Sequence, residues 1–164
     1  MKEIMDQEQI SRTLKRITHE IIERNSDLNQ IVLLGIKEKG IPMAYMLADN
    51  LWRFSDVKVP VFELDITKYR DDHKKNDDYN QITTIDLNGK NVIIVDDVLY
   101  TGRTARAAMD AITDMGRPSK IQLAILVDRG HRELPIRADY IGKNIPTSYQ
   151  EKVIVDWNKN VSII

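Results

Sequence analysis

The sequence predicts an α/β fold, a central and mainly parallel sheet flanked by helices. Three observations carry that expectation. Apolar runs of strand length at 31–36 and 92–95, and a third at 121–127 broken only by Gln122, mark strands buried on both faces. Segments with apolar residues at the helical period stand between them. At 164 residues the chain suits one domain and can bury a sizeable core. Residues 1–164 are read as that single domain, since no internal repeat, low-complexity tract or linker interrupts them.

The elements follow in order. Residues 8–24 read as an amphipathic helix, with Ile10, Leu14, Ile17 and Ile21 along one face and Arg12, Lys15, Arg16 and His19 opposite. The buried strand 31–36 comes next. A polar turn follows (Lys37, Glu38, Lys39, Gly40), and Pro42 then suits the first turn of a helix whose inner face holds Ala44, Leu47, Ala48 and Leu51. Residues 57–66 alternate as a strand through Phe62, Leu64 and Ile66, and Pro60 marks its edge or end. Residues 68–80 are dense in charge and read as a surface loop or hairpin arm. Leu87, Asn88, Gly89 and Lys90 form a turn before the second buried strand, 91–95. A helix opens at 101–104 and runs to about Met115, with Ala105, Ala108, Met109 and Ile112 inward. Gly116 and Pro118 end it. The third buried strand is 121–127, and 138–141 and 152–156 are weaker strand candidates.

Composition narrows the chemistry. Cysteine is absent, which excludes disulfides, thiol catalysis and Cys-based metal sites. Three widely spaced histidines make a poor metal site. With 24 Lys+Arg against 25 Asp+Glu the net charge is −1, so bulk charge would not coat nucleic acid, although a local basic face still could. No apolar run is long enough to span a bilayer, and the N-terminus lacks the apolar core of a secretory signal. A cytoplasmic protein with no membrane partner is expected.

The informative stretch is 92–104: four aliphatic residues, the acids Asp96 and Asp97, then Val98, Leu99 and Tyr100, and a Thr101-Gly102-Arg103-Thr104 turn into a helix. Ligands of open α/β sheets bind outside the carboxyl ends of strands. Here backbone N–H groups, two hydroxyls and a helix N-terminus converge into a phosphate cradle, and Gly102 lets an anion approach closely. Two carboxylates would repel a phosphate, so they suit sugar hydroxyls or a bridging Mg²⁺. The stretch has neither the Gly-Lys-Ser/Thr of a P-loop nor the Gly-x-Gly-x-x-Gly of a dinucleotide fold.

This pattern resembles the phosphoribosyl-pyrophosphate (PRPP) motif of type I phosphoribosyltransferases. The resemblance narrows with Tyr69-Arg70-Asp71-Asp72 and with the run from Val127-Asp128-Arg129-Gly130-His131-Arg132 to Thr147-Ser148. These are similar to the bacterial family of pyrimidine operon regulators that are also uracil phosphoribosyltransferases (PyrR). Arg16, His19, Glu20, Arg24 and Asn25 lie in family-like places, and the likeness covers about residues 5–153.

The resemblance implies a type I phosphoribosyltransferase fold with a small hood built from the chain's ends. It implies transfer of uracil onto PRPP with Mg²⁺, giving UMP and pyrophosphate. Asp96 and Asp97 would hold the ribose hydroxyls, directly or through Mg²⁺, as catalytic residues together with Arg70. Thr101, Gly102, Arg103 and Thr104 would hold the 5′-phosphate, with Val98, Leu99 and Tyr100 in the same nucleotide site. Lys37, Glu38, Lys39 and Gly40 would cup pyrophosphate. Val127, Asp128 and Arg129 would lie near the base, and Ile136 could wall it. Tyr69, Arg70 and the acids after them would belong to a closing loop. The resemblance also implies binding of pyrimidine leader mRNA with UMP or UTP as co-regulator, through Arg16, His19, Arg24, His131, Arg132, Arg137 and Lys143. The two basic faces would adjoin across a homodimer or larger homo-oligomer. One departure stands out: the family's Lys-Thr-Arg-Gly loop is here Lys37-Glu38-Lys39-Gly40. Glu38 adds negative charge beside a polyanion, and Lys39 lacks the fork of arginine. Two further readings stay open: a regulator with weak or lost transferase activity, and a transferase for another base without an RNA role.

Overall fold

The buried runs are continuous because each strand is covered on both sides. In the computed structural model, which describes residues 1–70 and 85–164, five parallel strands form one sheet in the order β3-β2-β4-β5-β6. They are β2 (Ile31–Ile36), β3 (Val61–Leu64), β4 (Asn91–Leu99), β5 (Lys120–Asp128) and β6 (Tyr140–Asn144). Successive side chains alternate between faces. Ile31, Leu33, Ile93, Val95, Ala124 and Leu126 therefore pack against helices α1 (Gln7–Arg24) and α2 (Gly40–Ser55). Val32, Leu34, Val92, Ile94, Leu123 and Ile125 pack against the alanine-rich face of α3 (Arg103–Met115). Each fully buried aliphatic side chain contributes about 1.5–3 kcal/mol, so the two layers fix which residues reach the sheet's carboxyl edge.

A second, antiparallel sheet joins the two ends of the chain as the expected hood. Strand β1 (Lys2–Asp6) pairs with β8 (Asn160–Ile163), which pairs with β7 (Val153–Asp156). Met5, Val155 and Val161 bury into the same core as α1 and α2. Asp6 ends β1 and caps α1: its carboxylate accepts from the Gln9 amide, and the Gln9 side chain accepts from the Asp6 amide, both at 2.8 Å.

Several boundaries differ from the sequence expectation. Strand 57–66 shrinks to β3, because this edge strand has β2 as its neighbour in the sheet and starts only after Pro60, which has no N–H to give. Strand 91–95 extends to Leu99, since Asp96, Val98 and Leu99 stay in register with β5. Strand 138–141 moves to β6, for Asp139 is bound at its entrance, donating its amide to the Leu123 carbonyl and accepting the Leu123 amide on its carboxylate, each at 2.8 Å. The helix predicted from 101 begins at Arg103. Most of the predicted 68–80 arm lies outside the described residues. No helix among the described residues is long and apolar enough to cross a membrane.

Candidate functional site

Two loops leave the carboxyl ends of the neighbouring strands β2 and β4 and enter helices. The second begins with the acid pair, which lies within the last residues of β4 rather than after it. Gly102 turns the chain with φ 94°, a conformation that favours glycine, and it starts α3 without a side-chain cap. The helix thus turns the positive end of its dipole toward the cleft, where an anion is favoured. The turn is braced from behind. The Thr101 carbonyl accepts the Glu133 and Leu134 amides at 2.9 and 3.2 Å, Thr101 Oγ1 accepts the Arg103 amide at 3.3 Å, and Arg103 Nε meets Glu133 at 2.9 Å. A small cleft opens here, lined by Ile36, Asp96, Val98, Leu99, Tyr100, Thr101, Gly102, Thr104, Ala105, Leu123 and Ile125. Ile136 packs beside Gly102.

Asp96 and Asp97 are locked by main-chain bonds: the Asp97 amide donates to Asp96 Oδ1 at 2.9 Å and the Val98 amide to Asp97 Oδ1 at 2.7 Å. Burial, then the neighbouring Asp97 charge, pushes the Asp96 carboxyl well above the usual carboxylate range, while Arg70 pulls it back. This places Arg70 within electrostatic reach of Asp96. A carboxyl so short of positive charge fits Mg²⁺. Among the described residues no group of three or more His, Cys, Asp or Glu could hold a metal alone. The pair therefore suits an ion that takes its remaining ligands from water and substrate oxygens.

The first loop, 37–40, is held differently. The Lys37–Glu38 peptide is cis. The Lys37 amide donates to the Leu64 carbonyl at 2.9 Å, and Lys37, Glu38 and Lys39 are exposed. A Cβ on Gly40 would lie 2.2 Å from the Val95 carbonyl oxygen, so only glycine lets α2 start this close to β4. The Lys39 ammonium donates to the Val155 carbonyl at 3.0 Å, and the Trp157 indole N–H donates to the Lys39 carbonyl at 2.9 Å.

On the far side of the cleft Val127 and Asp128 end β5, both buried. Asp128 accepts from Arg132 Nη2 at 2.6 Å and from the Gly130 amide at 3.0 Å. Arg132 Nη1 also donates to the Tyr100 carbonyl at 2.7 Å. The Arg129 guanidinium lies 4.0 Å over the Tyr100 ring and donates to Thr147 and Ser148. His131 bonds the Thr147 carbonyl between the rings of Tyr100 and Tyr149. His131 and Arg132 therefore sit around Tyr100, at the start of the turn into α3.

The other basic residues lie along α1 and β6. Arg16 donates to the Ile141 and Gly142 carbonyls at 3.1 and 2.6 Å and pairs with Glu20 at 2.9 Å. Arg24 donates to the Asp139 carbonyl at 2.8 Å, and His19 stacks on Phe54. Arg12 and Lys143 share a shallow pocket with Met5, Gln9 and Thr13. Arg137 and Lys143 are exposed. The helix face and Lys143 thus meet within one chain. Tyr69 is anchored to the outside of α3 by donating to Asp114 at 2.6 Å, which with burial raises its hydroxyl to about 12. It marks the base of the expected closing loop, and Asp71 and Asp72 lie outside the described residues.

Glu133 and Thr147 lie in the 127–148 run without an assigned role, and Val155 and Trp157 escape the sequence reading. Each acts through a main-chain atom or across a long separation in the chain, and no local pattern marks such contacts.

Comparison with known proteins matches residues 1–157 to the phosphoribosyl transferase domain. The bifunctional protein pyrR of Enterococcus faecalis is 58% identical over 158 residues, covering 94% of this chain and 89% of that protein. The pyrimidine operon regulatory protein of Lactococcus lactis subsp. cremoris is 52% identical over 159 residues, covering 97% and 91%. The crystal structure of hypoxanthine phosphoribosyltransferase from Trypanosoma cruzi superposes with a TM-score of 0.76 at 21% identity, covering 99% of this chain and 95% of that one. That likeness speaks for the fold alone.

Proposed function

The chain belongs to the phosphoribosyltransferase family, in its branch of bifunctional pyrimidine operon regulators, and we propose that it joins uracil to PRPP, giving UMP and pyrophosphate, and attenuates transcription by binding pyrimidine leader mRNA with UMP or UTP as co-regulator. The observation that carries the enzymatic half is the uncapped, left-handed Gly102 start of α3 beside the Asp96–Asp97 pair. It combines a phosphate cradle with a holder for the adjoining sugar.

In this reading the 101–104 loop binds the 5′-phosphate and Asp96 and Asp97 orient the ribose hydroxyls. The 37–40 loop faces the pyrophosphate. Val127, Asp128 and Arg129 border the base. The C1–O bond to pyrophosphate breaks with its electron pair leaving on pyrophosphate as positive charge develops on the ribose ring, and uracil N1 forms the new bond to C1 while its proton passes to pyrophosphate or water. No side-chain nucleophile is needed. Bound Mg²⁺ supplies positive charge to the leaving pyrophosphate. Arg70, in electrostatic reach of Asp96, adds to that charge balance at the start of the segment expected to close. Residues 1–164 work as one unit in the cytoplasm, as a homodimer or larger assembly.

For RNA, exposed Arg137 and Lys143 and the Arg12 side of α1 offer phosphate contacts, and Arg16 and Arg24 brace that face against β6. Purified protein with PRPP, Mg²⁺ and uracil is expected to form UMP. It is also expected to bind a leader hairpin more tightly with UMP or UTP, with affinity falling as salt rises. No UMP above background, with RNA binding intact, would remove the enzymatic half. Exposed Glu38 favours one second reading, a regulator with weak transferase activity. If Glu38→Thr with Lys39→Arg leaves turnover unchanged, that version loses its basis.

A further inference from the structure

We propose that the C-terminal hairpin β7–β8 is a bracket that positions the pyrophosphate loop, with Trp157 as a positioning residue and Lys39 as its strut rather than a ligand of the leaving group. The proposal rests on the reading of 37–40 as the pyrophosphate loop. Two hydrogen bonds tie that loop to the hairpin, and they run in opposite directions. The Lys39 ammonium donates to the Val155 carbonyl at 3.0 Å, and the Trp157 indole donates to the Lys39 carbonyl at 2.9 Å. Both polar ends of Lys39, the residue between Glu38 and Gly40, are thus engaged by residues more than a hundred positions away.

The bracket is stiff at its own end. Strand β8 pairs on both sides, and the Asn160 side-chain amide donates to Glu3 on β1 at 3.1 Å. The hairpin tip is closed by Asp156, whose carboxylate accepts the Asn158 amide and whose carbonyl accepts the Lys159 amide, both at 3.0 Å. Trp157 packs against the core cluster and lines a cleft it shares with Ile10, Leu14 and Met46 of α1 and α2. Val155 is only 2% exposed, so its carbonyl has little access to water and gains from a protein donor. Without these two bonds the loop would keep its anchors at Lys37 and Gly40, and more of the ordering of its exposed middle would fall to the substrate, at a cost in affinity.

The test uses the full chain, with Trp157→Phe (the ring kept, the N–H removed), Lys39→Met and the double variant. PRPP and uracil are titrated separately in the UMP assay, and Mg–pyrophosphate affinity is measured by calorimetry. One lost hydrogen bond predicts a rise of roughly 2- to 12-fold in the PRPP KM and the Mg–pyrophosphate Kd for Trp157→Phe, with the uracil KM and the melting temperature nearly unchanged. Because both contacts hold one bracket, the double variant is expected to be little worse than Lys39→Met alone. An unchanged PRPP KM in Trp157→Phe, with wild-type turnover intact, would overturn the bracket and leave the functional reading standing. Effects that multiply in the double variant would make Lys39 an independent ligand and also overturn it. A wild-type protein that forms no UMP but binds Mg–pyrophosphate more weakly after Trp157→Phe would support the bracket while removing the enzymatic reading. A wild type that binds no Mg–pyrophosphate would end both.

Discussion

The loops after β2 and β4 share a topology and differ in what holds them. Each leaves the carboxyl end of a parallel strand and enters a helix beside the same cleft. The 101–104 loop is braced by its own residues and by 133–134, and its conformation is written in Gly102. The 37–40 loop takes its support from the far end of the chain, through Val155 and Trp157, and from the close approach of Gly40 to Val95. One loop is thus built locally and the other is assembled by the hood. A chain damaged at its C-terminus is therefore expected to keep its nucleotide monophosphate site and lose grip on pyrophosphate.

The two glycines give the strongest way to break this contrast. Gly40→Ala puts a methyl group against a backbone carbonyl and is expected to destabilise by about 3 kcal/mol or more in denaturant unfolding. Gly102→Ala meets nothing closer than 3.4 Å and suffers only the left-handed backbone, about 1–2 kcal/mol, with a raised UMP dissociation constant. Equal losses would erase the distinction between a packed loop and a turned one. Between these lies the acid pair. Asp97→Asn should lower kcat/KM for PRPP about 100-fold, near 2.7 kcal/mol. Asp96→Asn should do the same, yet raise the melting temperature of the free protein at neutral pH. The fold lifts this carboxyl's pKa, so stability falls as pH rises from the unfolded value through the folded one, and an amide escapes that loss. A melting temperature that drops would contradict the burial argument. Tyr69→Phe is the smallest change, below about 1 kcal/mol, because the bond to Asp114 is exposed. Its hydroxyl is raised to about 12, so its contribution is complete below pH 10 and lost as pH climbs toward 12. The variant should flatten the alkaline end of the stability profile.

The same contrast explains what was legible in the sequence. The 31–36 strand and the 92–104 stretch announce themselves, because double burial demands continuous apolar residues and a tight phosphate turn demands Gly102 between hydroxyls. The hood strands at 2–6 and 160–163 are short and mix polar with apolar residues, so their pairing across the whole chain length leaves no local period to read. Arg16 and Arg24 are legible as basic residues on a helix. That they lean on the carbonyls of β6 is a property of packing. The Lys39 side chain shows the limit most sharply, since no local pattern announces its bond to a carbonyl 116 positions away.

The central claim is that the turn at 101–104 receives the phosphate of the nucleotide while the acids beside it hold the sugar. A crystal structure with UMP tests it most directly. The phosphate oxygens should lie about 2.7–3.1 Å from the amides that open α3, with the ribose hydroxyls turned toward Asp96 and Asp97. UMP bound at another place, with this turn left to solvent, would contradict the account.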